Sequence, residues 1–145
     1  MKKFYLSFEG YYLYDYLLSQ YNNDLYKNSA DYAEMKVPGI YCFYKCKDDE
    51  IKELIYIGKA ADIYHRLAKH NKIKDFIMQL RDKERLCVSF AEVRDAYDRE
   101  RVENAMIYKH NPVCNIAGTG TFGYPKTEVI LSGKTALLNT RFTVG

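Results

Sequence analysis

The stretch from Pro38 to His70, PGIYCFYKCKDDEIKELIYIGKAADIYHRLAKH, restricts the fold of this chain more than any other. Ile40, Cys42 and Tyr44 alternate there with Tyr41, Phe43 and Lys45, and a second apolar run follows at Leu54-Ile55-Tyr56-Ile57-Gly58. β-Branched and aromatic residues in short runs bounded by polar turns predict strands. The connection Lys47-Asp48-Asp49-Glu50 is polar and turn-like, so the two runs predict an antiparallel hairpin. Its first strand is apolar on both faces, which suits a place near a sheet centre. Gly58 ends the second strand, and Asp62 is placed to N-cap a helix of about 63–70. On that helix Asp62, Arg66 and His70 follow at intervals of four and share one face.

On the N-terminal side, Phe4, Leu6 and Phe8 alternate like a short strand, and Leu13, Tyr14, Leu17, Leu18 and Tyr21 predict a helix of about 10–22. A polar loop through Asn22, Asn23, Asn28 and Ser29 follows. The tyrosines concentrate here, and on a helix tyrosine is usually a core or interface residue, with base stacking as the functional alternative. Beyond the hairpin, Ile73, Phe76, Ile77 and Leu80 predict an amphipathic helix. Leu86, Val88 and Phe90 predict a third strand. Asp95 can cap a helix of about 96–110 with Val102, Ala105 and Met106 inward, stopped by Asn111-Pro112. A glycine-rich loop, Ala117 to Gly123, leads to Val129-Ile130-Leu131, Ser132-Gly133 and Phe142 to Val144, which predict a terminal hairpin. The expected fold is α+β, a three-stranded antiparallel sheet flanked by helices. An aromatic-rich N-terminal extension (1–36) packs on a core (37–117), and the glycine loop and hairpin (118–145) complete one globular unit.

Composition narrows the classes. With 48% hydrophobic and 28% charged residues in 145, the chain can bury a core and is not a disordered tract. No apolar run approaches the roughly 20 residues of a membrane span, and the start MKKFYLSFEGYYLYDY lacks a signal-like apolar core, so a cytoplasmic protein with no membrane partner is expected. Cys42 and Cys46 would lie about 13 Å apart on an extended strand, too far to share a metal ion. With Cys87 and Cys114 they read as reduced thiols. The net charge of +3 permits a nucleic-acid partner without requiring one.

A lone arginine and histidine on a helix face are usually solvated, and a lone helical glutamate such as Glu103 is ordinarily a good helix former. His65 and His110 read as surface residues. The order of residues changes the reading for the rest. Gly39-Ile40-Tyr41, Tyr56-Ile57-Gly58, Arg66, His70, Glu103, Pro112 and Asn115 follow one another across about residues 37–115, and this set resembles the GIY-YIG nuclease family. YIGKAADIYHRL is similar to the nuclease subunit of bacterial nucleotide-excision repair. NIAGTGTFG is similar to phage intron homing endonucleases, although Gly118-Thr119-Gly120 departs in length.

The resemblance implies hydrolysis of a phosphodiester with one divalent metal ion, Mg2+ with Mn2+ as a substitute, held by Glu103. A single carboxylate is enough for magnesium, which keeps several waters. Arg66 would meet the phosphate charge with a planar fork. Tyr41 would be the general base, although bringing a phenol from pKa 10 to 7 requires about 4 kcal/mol of preferential phenolate stabilisation. His70 is the rival proton carrier. Tyr56 would donate to the phosphate or to Tyr41, Lys59 would contact substrate, and Asn115 would fix the loop after the Glu103 helix and contact substrate. The implied partner is nucleic acid, with DNA favoured over RNA and the oligomeric state open. A ribonuclease of the same mechanism, a catalytically silent nucleic-acid-binding module and a protein-interaction module on the tyrosine-rich region stand as alternatives.

Overall fold

In a computed structural model the described residues are 1–23, 32–116 and 118–145. The hairpin forms where the sequence places it. Strand β2 (Gly39–Lys47) pairs antiparallel with β3 (Glu50–Ala60), joined by Asp48 and Asp49 at φ 51° and 64°. Two central residues with positive φ make the turn whose twist matches a hairpin, and aspartate tolerates that region. Residues 39–44 of β2 are all buried, because both faces of this strand are covered. Ile40, Cys42 and Tyr44 enter one apolar cluster and Tyr41 and Phe43 the other.

The three-stranded sheet expected from sequence is only half of the sheet. β1 (Lys2–Leu13), β4 (Arg85–Glu92), β5 (Thr127–Gly133) and β6 (Arg141–Val144) extend it to six strands in the order β3-β2-β4-β1-β5-β6. β1 lies antiparallel to β4 and parallel to β5, so the sheet is mixed. The N-terminal residues therefore sit inside the sheet, between β4 and β5. β5 and β6 form the expected C-terminal hairpin.

Helix α1 (Tyr14–Asn23) begins later than the periodicity suggested because β1 runs on to Leu13. A bulge made this difficult to read. The register shifts between Gly10 and Tyr12, and Gly10 has φ +129° with its Cα directed at the Val88 carbonyl, where a Cβ would lie 2.6 Å away. One extra residue exchanges the two faces of a strand. Phe4, Leu6 and Phe8 enter one cluster before the bulge, Tyr11 and Leu13 pack on that same cluster after it, and Tyr12 packs on the other.

Helix α4 (Ala96–His110) covers one face of the sheet through Val102, Ala105, Met106 and Ile107. The other face is covered by α1, α2 (Ile63–Ala68) and α3 (Ile73–Ile77) through Leu17, Tyr21, Leu67 and Phe76. The expected caps are present: the Asp62 carboxylate accepts from the His65 amide at 3.1 Å and that of Asp95 from the Asp98 amide at 2.9 Å. Two helices are shorter than expected. α2 ends at Ala68, before His70, and α3 is five residues long with Ile77 exposed. Gln79 and Leu80 then donate to carbonyls three residues back, which tightens the chain and takes Ile77 off the buried face.

The cysteines are free thiols. His110 is no surface residue, since its ring packs on Phe142, its Nδ1 meets the Met106 carbonyl at 2.9 Å and its Nε2 accepts from the Asn139 amide at 2.9 Å. His65 is exposed as expected, with its Nδ1 2.6 Å from the Tyr21 hydroxyl. Asn28, Ser29 and Ala117 of the expected loops lie outside the described residues. Among those described, no helix is long and apolar enough to cross a membrane.

Candidate active site

Sheet register brings Tyr41 opposite Gly58 and Phe43 opposite Tyr56. The Tyr41 ring lies over Gly58 so closely that a Cβ there would collide with its ring and hydroxyl. Glycine is thus required by the approach of a neighbouring ring rather than by its own backbone angle.

His70 follows the end of α2 and turns inward, 5% exposed, among four aromatic rings: Tyr41, Phe43, Tyr56 and Phe76, with centroids 5.1–5.7 Å away. Its two nitrogens are both engaged. The Lys72 amide donates to Nδ1 at 3.1 Å, and Nε2 lies 2.8 Å from the Tyr41 hydroxyl. Burial, reinforced by the charges of Arg66 and Lys72, pushes the imidazole down to about 4, so the ring is neutral at pH 7. A backbone amide can only donate, so Nδ1 carries the lone pair and the single proton sits on Nε2, directed at Tyr41. His70 is therefore a donor to Tyr41 and has no lone pair on that side to receive a proton.

Tyr41 is buried, and its pKa is pushed above that of a free phenol by burial and by the nearby Tyr56 hydroxyl, with Glu103 adding to the rise. Arg66 acts in the opposite direction, through its charge and a hydrogen bond to the same hydroxyl. The Arg66 side chain also reaches the Asn71 amide oxygen at 3.2 Å. The His70 Nε2–H thus donates to the phenol oxygen, and the Arg66 guanidinium lies near enough to favour its ionised form.

Glu103 is half-buried on α4. Burial pushes its carboxyl up to about 7, the Lys59 ammonium and backbone amide pull it down, and Glu100 pushes it up. Tyr56 feels Glu103 and Arg66 in opposite senses, its pKa raised chiefly by burial. Tyr56, Lys72, Glu103, Asn104, Asn115 and Ile116 line a cleft of about 150 Å³. No group of three or more His, Cys, Asp or Glu side chains gathers among the described residues. A lone, half-buried carboxylate beside an open cleft suits a hard cation that keeps most of its water and takes further oxygens from a phosphate.

Asn115 joins the two halves of this site. Its Oδ1 accepts from the Ile57 amide and its Nδ2 donates to the Ile57 carbonyl, each at 2.9 Å, and the Cys114 amide donates to the Ile55 carbonyl at 2.9 Å. β3 is an outer strand of the sheet, and these bonds close its free edge. Both polar ends of the Asn115 amide are occupied by β3, so it holds the end of α4 against the strand carrying Tyr56 and Gly58.

Lys59, Arg66, Lys69 and Lys72 form no ion pair among the described residues. The Lys72 ammonium lies 5.2 Å from the Tyr56 ring centroid. Sequence reasoning missed Lys72, which fixes the His70 tautomer through its backbone, and no side-chain pattern signals a backbone role. In the glycine loop, Gly118 borders the cleft.

Over 100 residues, 68% of the chain, the sequence is 35% identical to UvrABC system protein C of Mycoplasmoides gallisepticum. It is 33% identical over 109 residues, 71% of the chain, to UvrABC system protein C of Ureaplasma parvum serovar 3. The matched stretches make up 16% and 17% of those proteins, so the chain spans a small part of the length of the curated relatives it matches. No family model and no solved structure matches the chain. By sequence it is a homologue, over part of its length, of proteins named UvrABC system protein C.

Proposed function

We propose that this chain is a metal-dependent endonuclease of the GIY-YIG type, hydrolysing phosphodiester bonds in DNA. The observation that carries the reading is convergence: Tyr41 from β2, Tyr56 from β3, Arg66 from α2, His70 beyond it and Glu103 from α4 act on one another within one site. Lys59, Arg66, Lys69 and Lys72, which form no ion pair among the described residues, suit a polyanion. The likeness of YIGKAADIYHRL to the excision-repair nuclease subunit favours DNA over RNA, and the relatives named UvrABC system protein C support it.

Arg66 holds non-bridging phosphate oxygens with its fork, and the negative charge that builds on those oxygens in the transition state strengthens the contact. Lys59 adds a mobile positive charge beside Gly58. Glu103 would hold a Mg2+ ion, which would supply Lewis-acid charge. Tyr41 first releases its own proton to bulk water and then, as phenolate held by the His70 Nε2–H and the Arg66 charge, accepts the proton of the attacking water. The new P–O bond forms as the ester P–O bond breaks, and the leaving oxygen takes a proton from bulk water. Asn115 keeps β3 and α4 in register so that Tyr56 and Glu103 face one cleft.

The test compares the purified chain with Glu103→Ala on supercoiled plasmid, single-stranded DNA and single-stranded RNA, with Mg2+, Mn2+ or EDTA. Metal-dependent cleavage that disappears in the variant supports the reading. Faster cleavage of RNA would make it a ribonuclease of the same chemistry. Binding of all three without cleavage in either metal would sink the enzyme and leave a silent binding module.

A further inference from the structure

Helix α4 carries a second feature beside the Glu103 cleft. Tyr97 and Tyr108 are exposed at 57% and 42%. Eleven residues apart, they project within about 20° of each other and about 16 Å apart along the axis. Tyr124 and Phe122 from the loop before β5 fill the interval. The ring centroids follow as Tyr97–Tyr124 at 5.8 Å, Tyr124–Phe122 at 5.6 Å and Phe122–Tyr108 at 6.4 Å. The result is a row of four rings, Tyr97 and Tyr108 exposed and Tyr124 and Phe122 half-buried, with successive planes inclined at 76°, 45° and 45° so that each exposed face can take one base.

The strip borders the site. Asn104 and Ile107, between the two tyrosines on α4, line the cleft together with Glu103 and Gly118. Tyr124 is close enough to Glu100 and Glu103 for their charges, after burial, to raise its pKa. The neighbouring carboxylates make this edge unfavourable for a phosphate backbone, whereas the ring faces suit uncharged, flat groups.

We propose that this strip is a stacking platform for unpaired nucleotides, so that the substrate delivered to Glu103 carries a single-stranded segment. The inference rests on the nuclease reading and deepens it. Bases stack on aromatic faces whatever their sequence, and an unstacked strand with one base to a ring would lay up to about four nucleotides along the strip. Bases paired in a duplex keep their faces covered and gain nothing from the strip. The phosphates of the same strand run toward Lys72, which lines the same cleft.

The chain has no tryptophan, so Tyr97→Trp and Tyr108→Trp each introduce a single emitting indole. Binding is read in EDTA, where no cleavage intervenes, with an oligothymidylate of about 10 nucleotides and a blunt duplex of the same length. The expected results are indole quenching by the single strand and not by the duplex, and single-strand Kd raised at least about tenfold in Tyr97→Leu/Tyr108→Leu. Tyr97→Phe/Tyr108→Phe should keep wild-type affinity, and the dependence of Kd on salt should be the same in all, because stacking releases no counterions. Thermal melts of each variant check that it folds. Equal affinity of single strand and duplex, unchanged by the leucine variant, overturns the platform and leaves the nuclease reading intact. Failure of both oligonucleotides to bind the wild-type chain overturns both.

Discussion

Asn115→Ala tests whether the asparagine is a clip between β3 and the end of α4 or a substrate contact. The wild-type amide makes two 2.9 Å hydrogen bonds to Ile57, a residue with no exposed surface. Two such bonds contribute about 1 kcal/mol each net, and an Ile57 amide and carbonyl left without partners at a half-covered sheet edge add a similar cost. The expected loss is about 2–4 kcal/mol, a fall in Tm of about 5–15 °C for a chain of this size. Urea denaturation with circular dichroism gives the first number and a thermal scan the second. Cleavage should weaken mainly in kcat, because Tyr56 and Glu103 lose their common frame while Arg66 keeps its grip on phosphate. An alanine variant that melts within about 0.5 kcal/mol of wild type and shows only a raised KM would refute the clip and restore a substrate contact.

Four further outcomes follow from the same geometry. Tyr41→Phe removes the oxygen on which His70 and Arg66 converge, and single-turnover cleavage should slow by about 10²–10⁴; an unchanged rate would remove Tyr41 from the chemistry. His70, held neutral down to about 4, takes no proton in the folded state between there and its ordinary value near 6.5, while the unfolded chain does. Stability should therefore fall as pH drops through that window, and His70→Gln should flatten the dependence; ¹⁵N NMR should show the proton on Nε2, and an Nδ1–H signal would contradict the assignment. Glu103 is raised to about 7, so ionising it costs the fold stability as pH rises from about 4.5 toward 7. Metal-free Glu103→Gln should accordingly match wild type near pH 5 and exceed it by on the order of 1 kcal/mol at pH 8, and equal urea midpoints at both pH values would count against the buried carboxylate. Gly58→Ala drives a methyl into the Tyr41 ring, with an expected stability loss of about 1–3 kcal/mol and a larger loss of activity as the ring is displaced; full activity would show that Tyr41 has room to move.

Much of this protein is legible as local pattern. Alternation and the polar turn at Asp48-Asp49 predict the β2–β3 hairpin, and the Asp62 and Asp95 caps mark where α2 and α4 begin. These features depend on residues within a turn or two of one another, so the sequence states them directly. Even α4 ends where Asn111 and Pro112 predict, at His110. Tyr41, Tyr56, Arg66, His70 and Glu103 could be picked out by their order along the chain, but order says nothing of contact.

What the tertiary structure decides is everything that depends on a distant partner. β1 lies between β4 and β5, paired as Glu9 with Phe90 and Phe4 with Val129, so its place depends on segments far along the chain, and Gly10, where the register shifts, has no room for a Cβ beside the Val88 carbonyl. His70 lies just past a helix that stops short, and its tautomer and its hold on Tyr41 follow from burial among rings of other elements. Asn115 could be expected from sequence to fix the loop after the Glu103 helix, but not that its amide would be spent on Ile57, 58 positions earlier. Propensity and capping are short-range energies written in neighbouring residues. Strand order, desolvation and the direction of a shared proton arise only when separate segments exclude water together.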